Sequence, residues 1–179
     1  PDGDLLFFYR KGGSGNGDTM LNRYDTDTDT WTALHTPLID GTSSGDPASS
    51  NAYLNTPVVD ADGNVQLTWS YRWNSNGVNS FTGFQTNHDL NFARSINGGA
   101  TWQMFDGTPY GLPITQATSD VVVPIAQGSS LINQTSMTVD QNDQPIVASW
   151  WAPEADSGNH VRQFMLAWFD GSDWQTSAI

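Results

Sequence analysis

The chain contains no cysteine, a single lysine (Lys11) and a single glutamate (Glu154). Without cysteine, neither disulfides nor thiolate metal sites can contribute, and the fold must rest on side-chain packing and backbone hydrogen bonds. The near-absence of Lys and Glu removes the charged residues that favour helices. Basic residues are scarce as a group: six Lys and Arg stand against 19 Asp and Glu, a formal charge of −13. Nucleic-acid binding needs clustered Lys and Arg to neutralise phosphates, and no such cluster is visible, so no nucleic-acid partner is expected. Anionic membrane surfaces are disfavoured for the same reason. No apolar run approaches the roughly 20 residues of a spanning helix, so no membrane insertion is expected.

What is present is the vocabulary of strands and tight turns. Trp, Phe, Tyr, Val and Thr alternate with Gly, Asn, Asp and Ser along the 179 residues, which predicts an all-β chain. That length serves either one domain with its own core or several small sheet units side by side. A surface rich in Asp, Asn, Thr and Gly leads us to expect an extracellular or periplasmic location.

Internal repetition chooses between the two architectures. Three tryptophans sit in matching contexts, Asp29-Thr30-Trp31, Ala100-Thr101-Trp102 and Ser172-Asp173-Trp174. Each follows a short apolar strand and a polar turn: Met20 to Tyr24, Leu90 to Arg94, and Met165 to Phe169. Upstream, the turns Asp2-Gly3-Asp4, Asp62-Gly63-Asn64 and Asn142-Asp143-Gln144 introduce the strands Leu5 to Arg10, Val65 to Tyr71 and Ile146 to Trp151. In copies two and three a further strand is predicted before the turn, at Asn55 to Asp60 and Thr135 to Asp140. Four strands in up-and-down order make a propeller blade.

In the middle strand Val65, Leu67, Trp69 and Tyr71 alternate with Gln66, Thr68, Ser70 and Arg72, which predicts one well-packed face. A single blade cannot bury such a face, and stacking solves the problem. The expected architecture is therefore a β-propeller of four-stranded antiparallel blades, with about three present: copies at roughly 1–40, 51–112 and 131–179. Because propellers usually have 4–8 blades, the chain is expected to be part of a longer propeller, with the remaining blades of the parent chain as its partners. The alternative is a complete β-sandwich with fortuitous tryptophan spacing.

Ser95-Ile96-Asn97-Gly98-Gly99-Ala100-Thr101-Trp102 resembles the Asp-box turn of BNR-repeat propellers, with Asn at the usual Asp position. In such a turn the Asx side chain caps the bend, glycine supplies positive φ and Trp plugs the hairpin into the blade. Together with Asn55-Thr56-Pro57-Val58-Val59-Asp60, Asn87-His88-Asp89-Leu90 and Leu131-Ile132-Asn133-Gln134-Thr135-Ser136-Met137, the pattern is similar to that of the BNR-repeat family that includes ulvan-type and rhamnose-glucuronate-type polysaccharide lyases. That resemblance implies a seven-bladed ring, no cofactor, and an acidic polysaccharide or oligosaccharide as partner.

It also implies β-elimination on a uronic-acid-containing polymer. A histidine removes the proton beside a uronate carboxylate while Arg or amide groups neutralise that carboxylate. His88 matches the histidine, and the unperturbed pKa of imidazole suits a base near neutrality; the plainer reading is a histidine bonded to its own turn. Arg72 is placed as the carboxylate contact, against the plainer reading of a solvated edge arginine. Tyr53 is placed as a phenolic acid or base, against a packing residue. Trp73 is a possible sugar-stacking platform, and Asn55, Asn87, Asn133 and Gln134 offer amides that both donate to and accept from sugar hydroxyls. Two positions depart from the lyase pattern: Gln66 stands where a second histidine is expected, and Ala152 where an arginine is expected after Trp150-Trp151.

The arginines Arg10, Arg23, Arg72, Arg94 and Arg162 read as scattered among strands, which argues against the arginine cluster of a sialidase-like glycoside hydrolase. A non-catalytic carbohydrate-binding propeller is the other alternative. Asp25, Asp27 and Asp29 lack the glycine and terminal glutamate of an EF-hand loop and read as a solvated turn, so no metal is expected. His35 and His160 are assigned no role.

Overall fold

The computed structural model describes residues 3–41, 50–73, 81–153 and 161–179. Asp2 of the first turn, residues 74–80 of the segment before His88, and His160 lie outside them. Twelve strands form three antiparallel sheets among the described residues. The first sheet holds β1 (Leu5–Gly13), β2 (Asn16–Asp25) and β3 (Thr30–Ile39) in that order. The second orders β4 (Ser50–Leu54), β6 (Val65–Trp73), β7 (His88–Ser95) and β8 (Asp120–Val123), with β5 (Val58–Val59) also paired to β6. The third places β9 (Ser136–Val139), β10 (Pro145–Trp151), β11 (Gln163–Phe169) and β12 (Trp174–Ala178) side by side. The chain is all-β as the composition predicts, with only short 3-10 turns at Gly83–Thr86 and Gln116–Thr118.

Strand β6 explains how the sheets stack. Leu67, Trp69 and Tyr71 project from one face and join Leu21, Leu38 and Ile39 of the first sheet in one core. The opposite face carries Gln66, Thr68 and Ser70, and it is buried as well. This corrects the expectation of a single packed face. The polar side chains find partners at the junction with the third sheet: the Thr68 hydroxyl lies 3.4 Å from the Met137 sulfur, Ser70 donates to the Asn133 carbonyl at 3.1 Å, and Gln66 Nε2 donates to Asp60 at 2.8 Å and to the Asp143 carbonyl at 3.0 Å, while Gln66 Oε1 is buried with no partner among the described residues. A second core, with Phe92, Met137, Val147 and Met165, fills the rest of that junction. Each large side chain so buried contributes about 1.5–3 kcal/mol.

Two predicted strands are arranged differently. The innermost strand of the second sheet, expected over Asn55 to Asp60, is split: β4 ends at Leu54 and only Val58 and Val59 re-pair with β6. Pro57 has no N–H to give to a ladder, and Asn55 turns its side chain to the third sheet instead. Beyond Trp102 only Gln103 bridges to Arg94, and the outer position on β7 is taken by β8. The second sheet thus runs past the repeat boundary at 112, to Val123.

The 95–102 turn holds itself together. Ser95 Oγ accepts from Gly99 N at 2.8 Å and Asn97 Oδ1 from Thr101 N at 2.9 Å, while Gly98 and Gly99 take φ of +67° and +88°. Trp102 is buried and donates to the Gly99 carbonyl at 3.1 Å. Its counterpart Trp31 is 55% exposed and lies on the outer face of the first sheet against Phe7 and Tyr24, so the plug is not common to all three copies. His35 ties the first sheet to this turn through Nε2 and the Gly99 oxygen, 2.8 Å apart.

Candidate functional site

An open cleft of about 810 Å³ lies at one end of β6, between the first sheet, the second sheet and the segment that leads into the third. The first sheet contributes the β1 end, from Phe8 to Ser14; the second contributes Tyr53, Asn55 and Arg72; the segment before β9 adds Asn133, Gln134 and Thr135. Strand alternation brings Arg72 there, because it continues the face of Thr68 and Ser70 beyond the point where sheet-to-sheet packing stops.

Arg72 is half-buried, and each edge of its guanidinium is engaged. Nε donates to Asn87 Oδ1 at 2.8 Å, Nη2 to Asn133 Oδ1, and Nη1 to both the Tyr53 and Ser14 hydroxyls at 3.2 Å. The guanidinium carbon also lies 4.8 Å from the Tyr53 ring centre. Every one of these partners is neutral, and among the described residues no carboxylate pairs with Arg72. The charge is fixed in direction and left uncompensated, which is the arrangement that receives an anionic group.

Tyr53 is buried except at this cleft, with its hydroxyl 2.8 Å from Ser14 Oγ. Ser14 arrives from the glycine-rich tip between β1 and β2, which docks by donating Gly15 N to the buried Asn51 Oδ1. Arg10 reaches the same ring from β1, its guanidinium carbon 5.5 Å from the centroid. The reading of Arg10 and Arg72 as scattered is therefore corrected. Arg23, in contrast, is ion-paired with Asp4, Arg94 pairs through its backbone with Gln103, and Arg162 covers Trp150 at 5.2 Å. Among the described residues the cleft lining contains these two arginines and no carboxylate, within a chain of charge −13.

The amides divide into holders and free groups. Asn87 is buried and gives its amide protons to the Leu131 carbonyl at 2.7 Å and to Asn133 at 2.9 Å. Asn55 lines the cleft, yet its oxygen accepts from Thr135 N and Oγ1 at 2.8 and 3.1 Å and its nitrogen donates to Thr68 at 2.9 Å. It is a clamp between the second and third sheets. Gln134 is exposed in the lining and makes no such tie among the described residues.

The profile of the BNR repeat-containing family matches residues 1–179. The chain belongs to that family. No curated protein matches it by sequence. Among solved structures it is similar to an ulvan lyase described as a new family of polysaccharide lyase, PL25, bound to -[GlcA(1-4)Rha3S]-, with 19% identity and a TM-score of 0.72 over 98% of this chain and 40% of that one. It is also similar to the polysaccharide lyase Uly1, with 16% identity and a TM-score of 0.75 over 98% of this chain and 38% of that one. The chain thus spans about two fifths of the length of these structures.

In this BNR repeat-containing chain His88 and Trp73 are not part of the cleft lining. His88 pairs with Tyr71 across the β6–β7 ladder and so lies on the face opposite Arg72. Its ring stacks on Tyr71 at 6.1 Å and meets Trp73 edge-on at 5.7 Å, while Trp73 Nε1 donates to Gln116 at 3.0 Å. His88 Nδ1 is 2.8 Å from Asp89 Oδ2, and Nε2 is buried with no partner among the described residues. Asp89, at φ +54°, is fixed in turn by Ile125 N at 2.9 Å. Gln66 stands six positions before Arg72, roughly 20 Å along β6; the residue that faces His88 is Tyr71. Ala152 is buried and donates its N–H to the Ser129 carbonyl at 2.7 Å. Sequence reasoning missed Ser14 and Arg10 as cleft residues. The glycine-rich tip around Ser14 was the only local signal, since its partners are 39 and 58 positions away.

Proposed function

We propose that this chain forms part of a β-propeller that binds an acidic polysaccharide and cleaves it as a polysaccharide lyase, with Arg72 receiving a uronate carboxylate. The observation that carries the reading is a cleft that, among the described residues, has no carboxylate in its lining and is built around a fixed guanidinium without an ion-pair partner, in a strongly acidic protein. Similarity in fold to polysaccharide lyases supports it. In this reading the three sheets are consecutive blades of a seven-bladed ring. The apolar outer faces of the first and third sheets, with Phe7 and Trp31 on one and Phe164 on the other exposed by half or more, then pack against further blades.

In β-elimination the C5 proton passes to a base, the C4–O bond breaks as a C4–C5 double bond forms, and the leaving oxygen takes up a proton. Arg72 stabilises the charge that builds on the carboxylate as C5 loses its proton. Tyr53, whose hydroxyl sits between Arg72 and Ser14, is the cleft group placed to transfer a proton beside Arg72. His88, held by Asp89 behind the sheet, acts directly only if its ring leaves Tyr71.

The test is to incubate the protein with uronate-containing polysaccharides and follow the ultraviolet absorbance of the unsaturated uronate. Tyr53→Phe lowering turnover by about 100-fold or more, with His88→Ala changing it little, is the expected result. Loss of signal in His88→Ala alone would return the base role to His88. A second reading, a propeller that binds sugar without cleaving it, is favoured by the position of His88 outside the cleft; binding with no unsaturated product from the wild type would establish it.

A further inference from the structure

We propose that Ser14 is a positioning residue for Tyr53: its hydroxyl lets the phenol present first a lone pair and then a hydrogen to the cleft, and supports the phenol oxygen while its proton is away. The inference rests on the lyase reading above and gives a role to a residue which that reading names only as a neighbour.

The backbone delivers Ser14 to the cleft. It stands at the tip between β1 and β2, in Gly12-Gly13-Ser14-Gly15, and is the one residue of the four with a side chain. Ser14 is exposed, while Gly15 beside it is buried and donates its N–H to the buried Asn51 side chain of the second sheet. Gly12, at φ +118°, closes the hairpin below. A Cβ there would stand 2.9 Å from the Asn16 carbonyl oxygen and from Gly17 Cα, both of them backbone atoms. An anchored, tightly wound tip thus carries one hydroxyl from the first sheet to the phenol of the second.

The hydrogens at that hydroxyl can be counted. Arg72 Nη1 donates to Ser14 Oγ and to Tyr53 Oη, both at 3.2 Å, so each oxygen keeps one lone pair and one hydrogen. The two oxygens are 2.8 Å apart, and either can donate to the other. Where Ser14 donates, the Tyr53 hydrogen is free to turn to a ligand in the cleft; where Tyr53 donates, its lone pair is. The guanidinium holds both oxygens in either state, so rotation of two O–H bonds exchanges them. In the elimination one proton passes from C5 to the leaving oxygen by way of Tyr53: the C5–H and C4–O bonds break as the C4–C5 double bond and the new O–H bond form. Whenever the phenol oxygen is without its proton, Ser14 O–H and Arg72 N–H both point at it. Donors fixed in advance around such a charge favour the step without adding to substrate binding.

The test is a double-mutant cycle on turnover of a uronate polymer by the full chain, read from the absorbance of the unsaturated product. Ser14→Ala is expected to lower kcat by about tenfold, the scale of one hydrogen bond to a charged oxygen, with KM within about twofold and an unchanged urea midpoint. Ser14→Thr keeps the hydroxyl and is expected to restore most of the turnover. In a Tyr53→Phe background Ser14→Ala is expected to have no further effect, because a residue that acts through the phenol has nothing left to act on. Wild-type turnover in Ser14→Ala, additive losses in the double variant, a rise in KM with kcat unchanged, or no rescue by Ser14→Thr overturns the positioning role alone. Full turnover by Tyr53→Phe removes Tyr53 and Ser14 together from the chemistry and leaves the lyase. Absence of unsaturated product from the wild type overturns the lyase reading and the inference with it.

Discussion

Asn87 accepts from Nε of Arg72 at 2.8 Å and, with its own amide protons, holds the Leu131 carbonyl and the side chain of Asn133. One buried amide therefore aims the cleft guanidinium and fastens the second sheet to the segment that leads into the third. Asn87→Ala removes both functions and leaves a buried carbonyl without its donor. A loss of about 1–3 kcal/mol is expected from urea unfolding, together with weaker polymer binding. Asn87→Asp separates the two functions: it keeps an acceptor for Arg72 but supplies a carboxylate, so binding of an anionic polymer falls even where the variant folds.

Arg72→Lys tests whether geometry or charge matters at the cleft. Lysine keeps the positive charge, but its ammonium cannot reach Asn87, Asn133 and Tyr53 from three edges at once as the planar guanidinium does. We expect an affinity loss of about tenfold or more for a uronate polymer, the worth of a charge-assisted hydrogen bond, with little change in unfolding midpoint. Equal affinity in Arg72→Lys would mean that the cleft needs only a cation.

Neighbouring glycines in the 95–102 turn should differ in their tolerance of a methyl group. Both have positive φ, at +67° for Gly98 and +88° for Gly99. Around Gly98 a Cβ would meet open space, whereas at Gly99 it would lie 3.1 Å from Leu21 of the first sheet. Gly98→Ala should cost about 1–2 kcal/mol for the left-handed backbone alone, and Gly99→Ala more, because Leu21 must also move. Urea denaturation of the two variants gives the order, and a reversed order would show that the turn does not bear on the first sheet.

Much of the fold is legible in the sequence because alternation and turn chemistry are local. Val65, Leu67, Trp69 and Tyr71 fix one strand, and the Gly and Asx turns fix its ends. Alternation does not reveal that the polar face of the same strand is buried, since Gln66, Thr68 and Ser70 find partners some 60 to 80 residues away. Strand β8 was overlooked although Asp120-Val121-Val122-Val123 is a β-branched run, because the repeat leads one to expect the outer strand directly after Trp102. Arg72, Tyr53, Asn55, Asn133 and Gln134 share one cleft, and all five can be picked out by residue type and strand position. Alternation along β6 puts Trp73 with Tyr71, on the face opposite Arg72, whereas the face of His88 is not legible, because a register shift between Trp69 and Tyr71 in the β6–β7 ladder decides it.

The turn aspartates predict how the protein responds to acid. Asp25, Asp140 and Asp170 accept backbone N–H groups, Asp25 first from Thr28, Asp140 from Gln144 and Asp170 from Asp173, and each is held below the ordinary carboxylate range. Asp4 is lowered likewise by Thr26 N and then by Arg23. Such groups bind protons more readily when the chain is unfolded. The stability they contribute is present above their unfolded values and is lost as pH falls through the folded ones, below about pH 4. Asp120 works in the opposite sense. Burial raises it, although Phe105 N donates to it, so its contribution is present in acid and is lost as pH rises through the folded value. Replacing Asp25, Asp140 and Asp170 together by Asn keeps an oxygen for each backbone N–H and removes the titration. The melting temperature of that variant should fall less than the wild type's between about pH 5 and pH 2, whereas Asp120→Asn should make the fall steeper. Parallel curves for wild type and the triple variant would show that these turns do not set acid stability.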